Sequence, residues 1–201
     1  EVRGYMDEAF ERAIPSTVEI ASTLTPQQIQ NIEQRYTKSN KEFHDENLRG
    51  DASQRLKKSI KRTVERAEFF YGDLDNTQQE LITRLVTLSP YDVNIWNTER
   101  LRRQQDFMQV LRQLRENGLS QEKAQARLRA YVERIHRSPN DDYRKYTERL
   151  SQYNCAFVSN FHGTTSAAQR KHAAIKFKGW ESDIRALLSP VRTAGLPQIV
   201  H

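Results

Sequence analysis

Along this chain apolar side chains recur in steps of three and four with polar residues between them, the period of helices that bury one stripe. Residues 5–22 predict a short helical entry that breaks near Pro15. Leu24-Thr25-Pro26-Gln27-Gln28 predicts a helix start, with Ile29, Ile32, Tyr36 and Phe43 on one face and an end near Leu48, before Gly50. Residues 52–71 place Leu56, Ile60, Val64, Ala67 and Tyr71 on one side, opposite a basic stripe of Arg55, Lys58, Arg62 and Arg66. Gly72 closes that segment, and Asp75 or Asn76 caps a short helix through Leu81, Leu85 and Leu88. Ser89-Pro90 is expected to open a long helix to about residue 116, with Trp96, Leu101, Met108, Leu111 and Leu114 inward and Gly118 as its stop. Ser120 starts a helix bearing Ala124, Leu128, Tyr131 and Ile135, which Ser138-Pro139 ends. Asn140 starts another with Tyr146, Leu150, Tyr153 and Phe157, broken by Gly163. After Thr165 or Ser166 the last helix is expected to bury Ala173, Phe177, Trp180, Ile184 and Leu187.

No stretch alternates with period two for long enough to make a strand. The expected fold is therefore all-α, a single bundle of seven or eight amphipathic helices with short loops. One helical domain is expected over residues 1–190, with a flexible tail over 191–201 that contains Gly195 and Pro197.

Composition supports this picture. The 201 residues hold only 7 Gly and 6 Pro, too few for the tight turns that sheets need. Charged residues make up 29% and hydrophobic ones 36% of the chain, and the mean hydropathy is −0.86. Such values approach those of disordered chains, but regular spacing lets a modest apolar fraction line one stripe per helix. A net charge of +6 favours acidic partners, although 26 acidic residues are interleaved with the 32 basic ones. Cys155 is the one cysteine, which excludes an intrachain disulfide and a cysteine-rich metal site. The chain begins with Glu1 rather than Met, so it reads as trimmed or processed, with any signal peptide or lipid-attachment site upstream.

Catalytic signatures are missing. There is no HExxH spacing, no glycine-rich phosphate loop and no nucleophile elbow. His162 and His172 flank Gly163 without further ligands nearby and read as surface or capping residues; Cys155, between Tyr153 and Phe157, reads as a small core residue. Asp141 and Asp142 suit the first turn of a helix. The chain is therefore expected to be no enzyme and to hold no cofactor or metal. The candidate binding surface is basic: Lys57, Lys58, Lys61, Arg62, Arg100, Arg102 and Arg103. Glu99 and Glu65 stand at pairing distance in sequence and dilute that charge. Aromatic residues do not interleave with it as a base-stacking platform would, which disfavours nucleic acid as the partner.

Three helix starts share one wording, a capping residue followed by Gln: Thr25 with Gln28, Asp75 with Gln78 or Gln79, and Thr165 or Ser166 with Gln169. With Tyr71-Gly72-Asp73-Leu74, Glu99-Arg100, Arg103-Gln104-Gln105 and Trp180-Glu181-Ser182-Asp183-Ile184-Arg185, the ordered set resembles a proteobacterial family of helical lipoproteins catalogued as a domain of unknown function. The resemblance runs from about residue 5 to 188. It implies export and lipid attachment through an N-terminal cysteine outside this chain, hence a periplasmic, membrane-anchored location, and it brings no activity and no catalytic residues. Leu24 to Gln28 is also similar to the Leu-Thr-x-x-Gln helix openings of the periplasmic chaperones Spy and CpxP, though Asp75 replaces the Thr at the second site and the third lacks the Leu. That similarity implies an ATP-independent helical cradle for other proteins. The expected function is thus a non-enzymatic, chaperone-like or stress-related envelope protein that binds another protein. The alternative is an anion-binding module for nucleic acid or acidic lipid.

Overall fold

The computed structural model describes residues 2–116 and 118–188, which form eight helices and no strand. They are α1 (Val2–Thr23), α2 (Pro26–Asn47), α3 (Ala52–Tyr71), α4 (Asn76–Thr87), α5 (Val93–Leu114), α6 (Gln121–His136), α7 (Asp141–Gly163) and α8 (Ala167–Leu188). The fold is all-α. The described residues pack as two compact units, the first within residues 2–55 and 89–154, the second within residues 56–88 and 155–188. The expected flexible tail, 191–201, lies outside the described residues.

In the first unit, Ile14, Val18 and Ala21 of α1 meet Ile29 of α2, Met108, Leu111 and Leu114 of α5, and Ala124 and Leu128 of α6. The expected break at Pro15 does not occur, and α1 runs through it. A proline inside a helix costs about 3 kcal/mol relative to alanine. Pro15 faces solvent at the flank of the buried stripe, and burial of Ile14 and Val18 contributes about 1.5–3 kcal/mol each, which outweighs the lost bond. The start of α5 also differs from expectation. Asp92, not Ser89, caps it, accepting from the N–H groups of Asn94 at 2.7 Å and Ile95 at 3.3 Å. The buried Tyr146 hydroxyl accepts from the Asp92 N–H at 2.9 Å, which holds that residue at the helix entrance and leaves Ser89–Tyr91 outside. Trp96, expected inward, is only partly covered, its ring stacked on Phe43 of α2 at 5.3 Å.

The second unit has a smaller core, Leu74, Ile82 and Phe161, against which Val64, Ala67, Tyr71, Val86 and Phe157 pack. Gly72, at φ +76°, turns the chain out of α3, and its N–H closes onto the Glu68 carbonyl at 2.8 Å. On α4 the inward stripe is Gln78, Ile82 and Val86, rotated from the expected Leu81, Leu85 and Leu88, and Leu88 is exposed. A polar residue, Gln78, occupies one place on that stripe, which hid the true face from hydrophobic spacing. Cys155, expected in the core, is exposed.

Candidate binding surface

The basic residues separate into two groups by unit. Arg100, Arg102 and Arg103 belong to α5 in the first unit and are engaged with their own helix bundle. Glu99 is 3% exposed and accepts from Arg102 at 2.8 and 2.9 Å and from Arg103 at 3.1 Å. Asp106 takes Arg102 at 3.3 Å and Arg134 of α6 at 2.7 and 2.9 Å. Burial by itself pushes the Glu99 carboxyl up, but hydrogen bonds from Arg102, Arg103 and Ser138 outweigh it and hold the group below its ordinary value. The Arg134 guanidinium likewise holds Asp106 low against its desolvation. Arg100 donates to Asn40 at 2.6 Å and Ser39 at 2.9 Å on α2 and lies over the Phe43 ring. The three arginines that read as an anion site are thus already engaged: Arg100 braces α5 to α2, Arg102 reaches the Arg134 carbonyl of α6 at 3.4 Å besides its pairs within α5, and Arg103 is held by Glu99 of its own helix.

Lys57, Lys58, Lys61 and Arg62 lie exposed on α3 in the second unit. Lys61 approaches Glu65 at 3.8 Å, an exposed pair that contributes little. This half of the predicted surface faces solvent.

The more distinctive surface is apolar. Of the residues expected to be buried on α8, only Ala173 is. Phe177 is 55% exposed, Trp180 45%, Ile184 57% and Leu187 85%. Phe177 stacks on Phe70 of α3 at 5.4 Å, Trp180 stands edge-on to Phe70 at 5.5 Å and stacks on Phe69 at 6.3 Å, and the Lys176 ammonium sits 4.6 Å above the Phe69 ring. Four aromatic rings therefore hold one another, and three of them, Phe69, Phe177 and Trp180, stay exposed while Phe70 is half-buried between them. Periodicity located this stripe correctly but could not say that none of the described residues closes over it. Contiguous exposed apolar surface of this kind marks contact sites.

Beside it, two helix starts are interlocked. In the α4 capping box the Gln78 amide oxygen accepts from the Asp75 N–H at 3.2 Å, and in that of α8 the Gln169 amide oxygen accepts from the Ser166 N–H at 2.9 Å. The two amides also bond to each other, at 3.0 Å from Gln78 and 2.9 Å from Gln169. Their remaining N–H groups go to the Thr164 carbonyl at 3.0 Å and the Asp73 carbonyl at 2.9 Å. Each amide thus makes four hydrogen bonds, two of them to the other glutamine, and the clasp joins the N-terminal ends of α4 and α8. Thr25 with Gln28 forms the same capping box on α2 without a tertiary partner of this kind. His162 and His172 do not form a pair: one shares a 3.0 Å hydrogen bond with the Tyr71 hydroxyl, and the other donates to the Phe70 carbonyl at 2.9 Å. Among the described residues, no three His, Cys, Asp or Glu side chains gather closely enough to hold a metal ion. No described helix is long and apolar enough to cross a membrane.

A family model matches residues 1–144, which take in α1 to α6 and the first residues of α7. The chain belongs to DUF6279, a family of unknown function. The DUF6279 match contains the braced arginines and the α3 lysines, whereas the α8 face lies beyond it. Neither a curated protein nor a solved structure matches the chain.

Proposed function

We propose that this protein is a non-enzymatic helical component of the cell envelope, anchored in full length by an N-terminal lipid, that binds another protein in a chaperone-like role. The observation that carries the binding part is the apolar face of α8 with α3: Phe69, Phe177 and Trp180 are held in place yet solvent-exposed. Rigid aromatic side chains give large contact area at low entropic cost, which suits recognition of apolar protein segments. Lys176 borders the face and favours segments that also carry carboxylates. The similarity of the helix openings to those of periplasmic chaperones supports the same reading, and the resemblance to helical lipoproteins supports the compartment.

Suppression of aggregation of a chemically denatured client tests it. Protection at several-fold molar excess, weakened by Phe177→Ser with Trp180→Ser and by added salt, is the expected result. No protection removes the chaperone role. Mass spectrometry of the full-length product for a lipid-modified N-terminal cysteine tests the anchor.

The exposed Lys57 and Lys58 of α3 favour a second reading, an anion site for acidic lipid or nucleic acid. Of its proposed residues, Arg100, Arg102 and Arg103 are already committed to Asn40, Glu99 and Asp106. Gel-shift and liposome flotation at physiological salt separate the readings, since a protein-binding surface gives little of either.

A further inference from the structure

The exposed aromatic face continues along α3 as a row of cations. Steps of four, four and three residues put Lys58, Arg62 and Arg66 on the same side of the helix as Phe69, and all four side chains are exposed. Along the helix axis the cations stand about 6 Å apart, and Arg66 lies roughly 4.5 Å before Phe69. At Phe69 the row meets the rings: Trp180 stacks there at 6.3 Å and the Lys176 ammonium sits 4.6 Å above the ring.

The carboxylates of α3 do not cancel this row. Glu65 borders it but approaches Lys61 at 3.8 Å, and half-buried Glu68 follows Val64 by four residues, on the side toward the core. Among the described residues, neither Lys58 nor Arg66 has an ion-pair partner. One face of the second unit therefore has an apolar end, made of rings, and a cationic end.

The two ends together select an occupant. A purely apolar segment would meet only the rings, and a purely acidic one only the cations. A segment with an apolar residue followed by carboxylates meets both. In an extended chain same-side residues lie about 6.6 Å apart, so carboxylates at alternate positions drift by only about 1 Å across three cations spaced at about 6 Å. Long lysine and arginine side chains absorb that difference. Nucleic acid fits less well, because the rings gather at one end and cannot stack successive bases between the cations.

We infer that this face binds acidic polypeptide segments, with an apolar residue on the Phe69 and Trp180 rings and alternate carboxylates along Lys58, Arg62 and Arg66. The inference rests on reading the aromatic face as a protein-binding surface and names the chemistry of the client. Exposed ion pairs are individually weak, so selectivity comes from several acting together and falls as salt screens them.

Fluorescence anisotropy of dye-labelled peptides titrated with the full chain is the test. Peptides of equal length are compared: leucines followed by glutamates at alternate positions, the same with glutamine for glutamate, and the same with alanine for leucine. At low salt the first is expected to bind about tenfold tighter than either of the others, and its advantage over the glutamine peptide shrinks as salt rises. Lys58→Gln with Arg66→Gln, at exposed positions, removes most of that advantage and leaves the glutamine peptide unaffected. Phe177→Ser with Trp180→Ser weakens both, and Lys57→Gln, off the row, changes neither. Equal affinity for the glutamate and glutamine peptides, or binding indifferent to the loss of Lys58 and Arg66, overturns the proposal. So does displacement of the acidic peptide by vesicles of phosphatidylglycerol and phosphatidylcholine or by a single-stranded oligonucleotide at matched charge. Protection of a denatured client with no preference for the acidic peptide removes this selectivity alone. The preference without protection supports the selectivity and removes the chaperone reading alone.

Discussion

Gln28 and Gln78 occupy the same place in the same local motif, the third helical residue of a capping box, so replacing each by alanine separates local from tertiary stabilisation. Gln28→Ala loses the bond from the Thr25 N–H at 2.7 Å, in an exposed position where water takes its place. The expected cost is about 0.5–1 kcal/mol. Gln78→Ala loses four bonds, one from Asp75, one to Thr164 and two shared with Gln169. At about 0.5–1.5 kcal/mol net per hydrogen bond the gross range is roughly 2–6 kcal/mol. The freed Gln169 amide keeps its bonds to Ser166 and Asp73 and is partly exposed, so the lower half applies, about 3 kcal/mol. A double-mutant cycle between Gln78 and Gln169 should give a coupling of about 1–2 kcal/mol, as for residues in one network. Because two units need not unfold in one step, the assay must report on the second one. Urea unfolding followed by Trp180 fluorescence in a Trp96→Phe background does so, with hydrogen exchange of the α4 and α8 amides as a second readout. A Gln78→Ala effect within about 0.5 kcal/mol of the Gln28→Ala effect, or strictly additive losses at Gln78 and Gln169, would refute the clasp as a stabilising element.

Removing the proline is expected to strengthen α1: Pro15→Ala should raise the stability of the first unit by about 1–3 kcal/mol, read as a higher urea midpoint at unchanged slope. Glu99 and Asp106 have folded pKa values below their unfolded ones, so the stability they supply is present above the unfolded values of about 4 and is lost as pH falls through the folded ones. Thermal melts from pH 7 down to pH 2 should therefore fall steeply at the acid end, with a shallower fall in Glu99→Gln; equal slopes would sink the assignment. At pH 7, Glu99→Ala should cost about 2–3 kcal/mol, below the range for a fully buried pair because Arg102 and Arg103 are partly hydrated. Exposed Cys155 should react with a thiol-directed disulfide reagent in the native protein as fast as in urea, whereas a buried thiol would react only on unfolding.

Most of the secondary structure was legible in the chain itself, because caps and heptad-like spacing are local. Thr25 with Gln28, Asp75 with Gln78, Ser120, and Ser166 with Gln169 each announce a helix start that the backbone then adopts. The failures are equally local in origin. Pro15 predicts a break on propensity alone, and only the burial of Ile14 and Val18 against other helices overrules it. The basic residues could be found by composition, but their condition could not. Glu99 and Asp106 lie within one helical turn of Arg102, yet burial turns these neighbours into a brace, and Arg134 arrives from another helix.

What sequence alone determined is an all-α chain of the DUF6279 family with its helices, caps and apolar stripes in place, because these depend on residues within a few positions of one another. What only tertiary structure decided is which stripes are covered. The stripe of α1 closes against α5 and α6, whereas that of α8, no less regular, is only partly covered beyond Ala173 by the described residues. Periodicity measures how apolar residues are arranged along a helix; whether another surface comes to meet them depends on residues far away in the chain, and that difference places the candidate contact on α8.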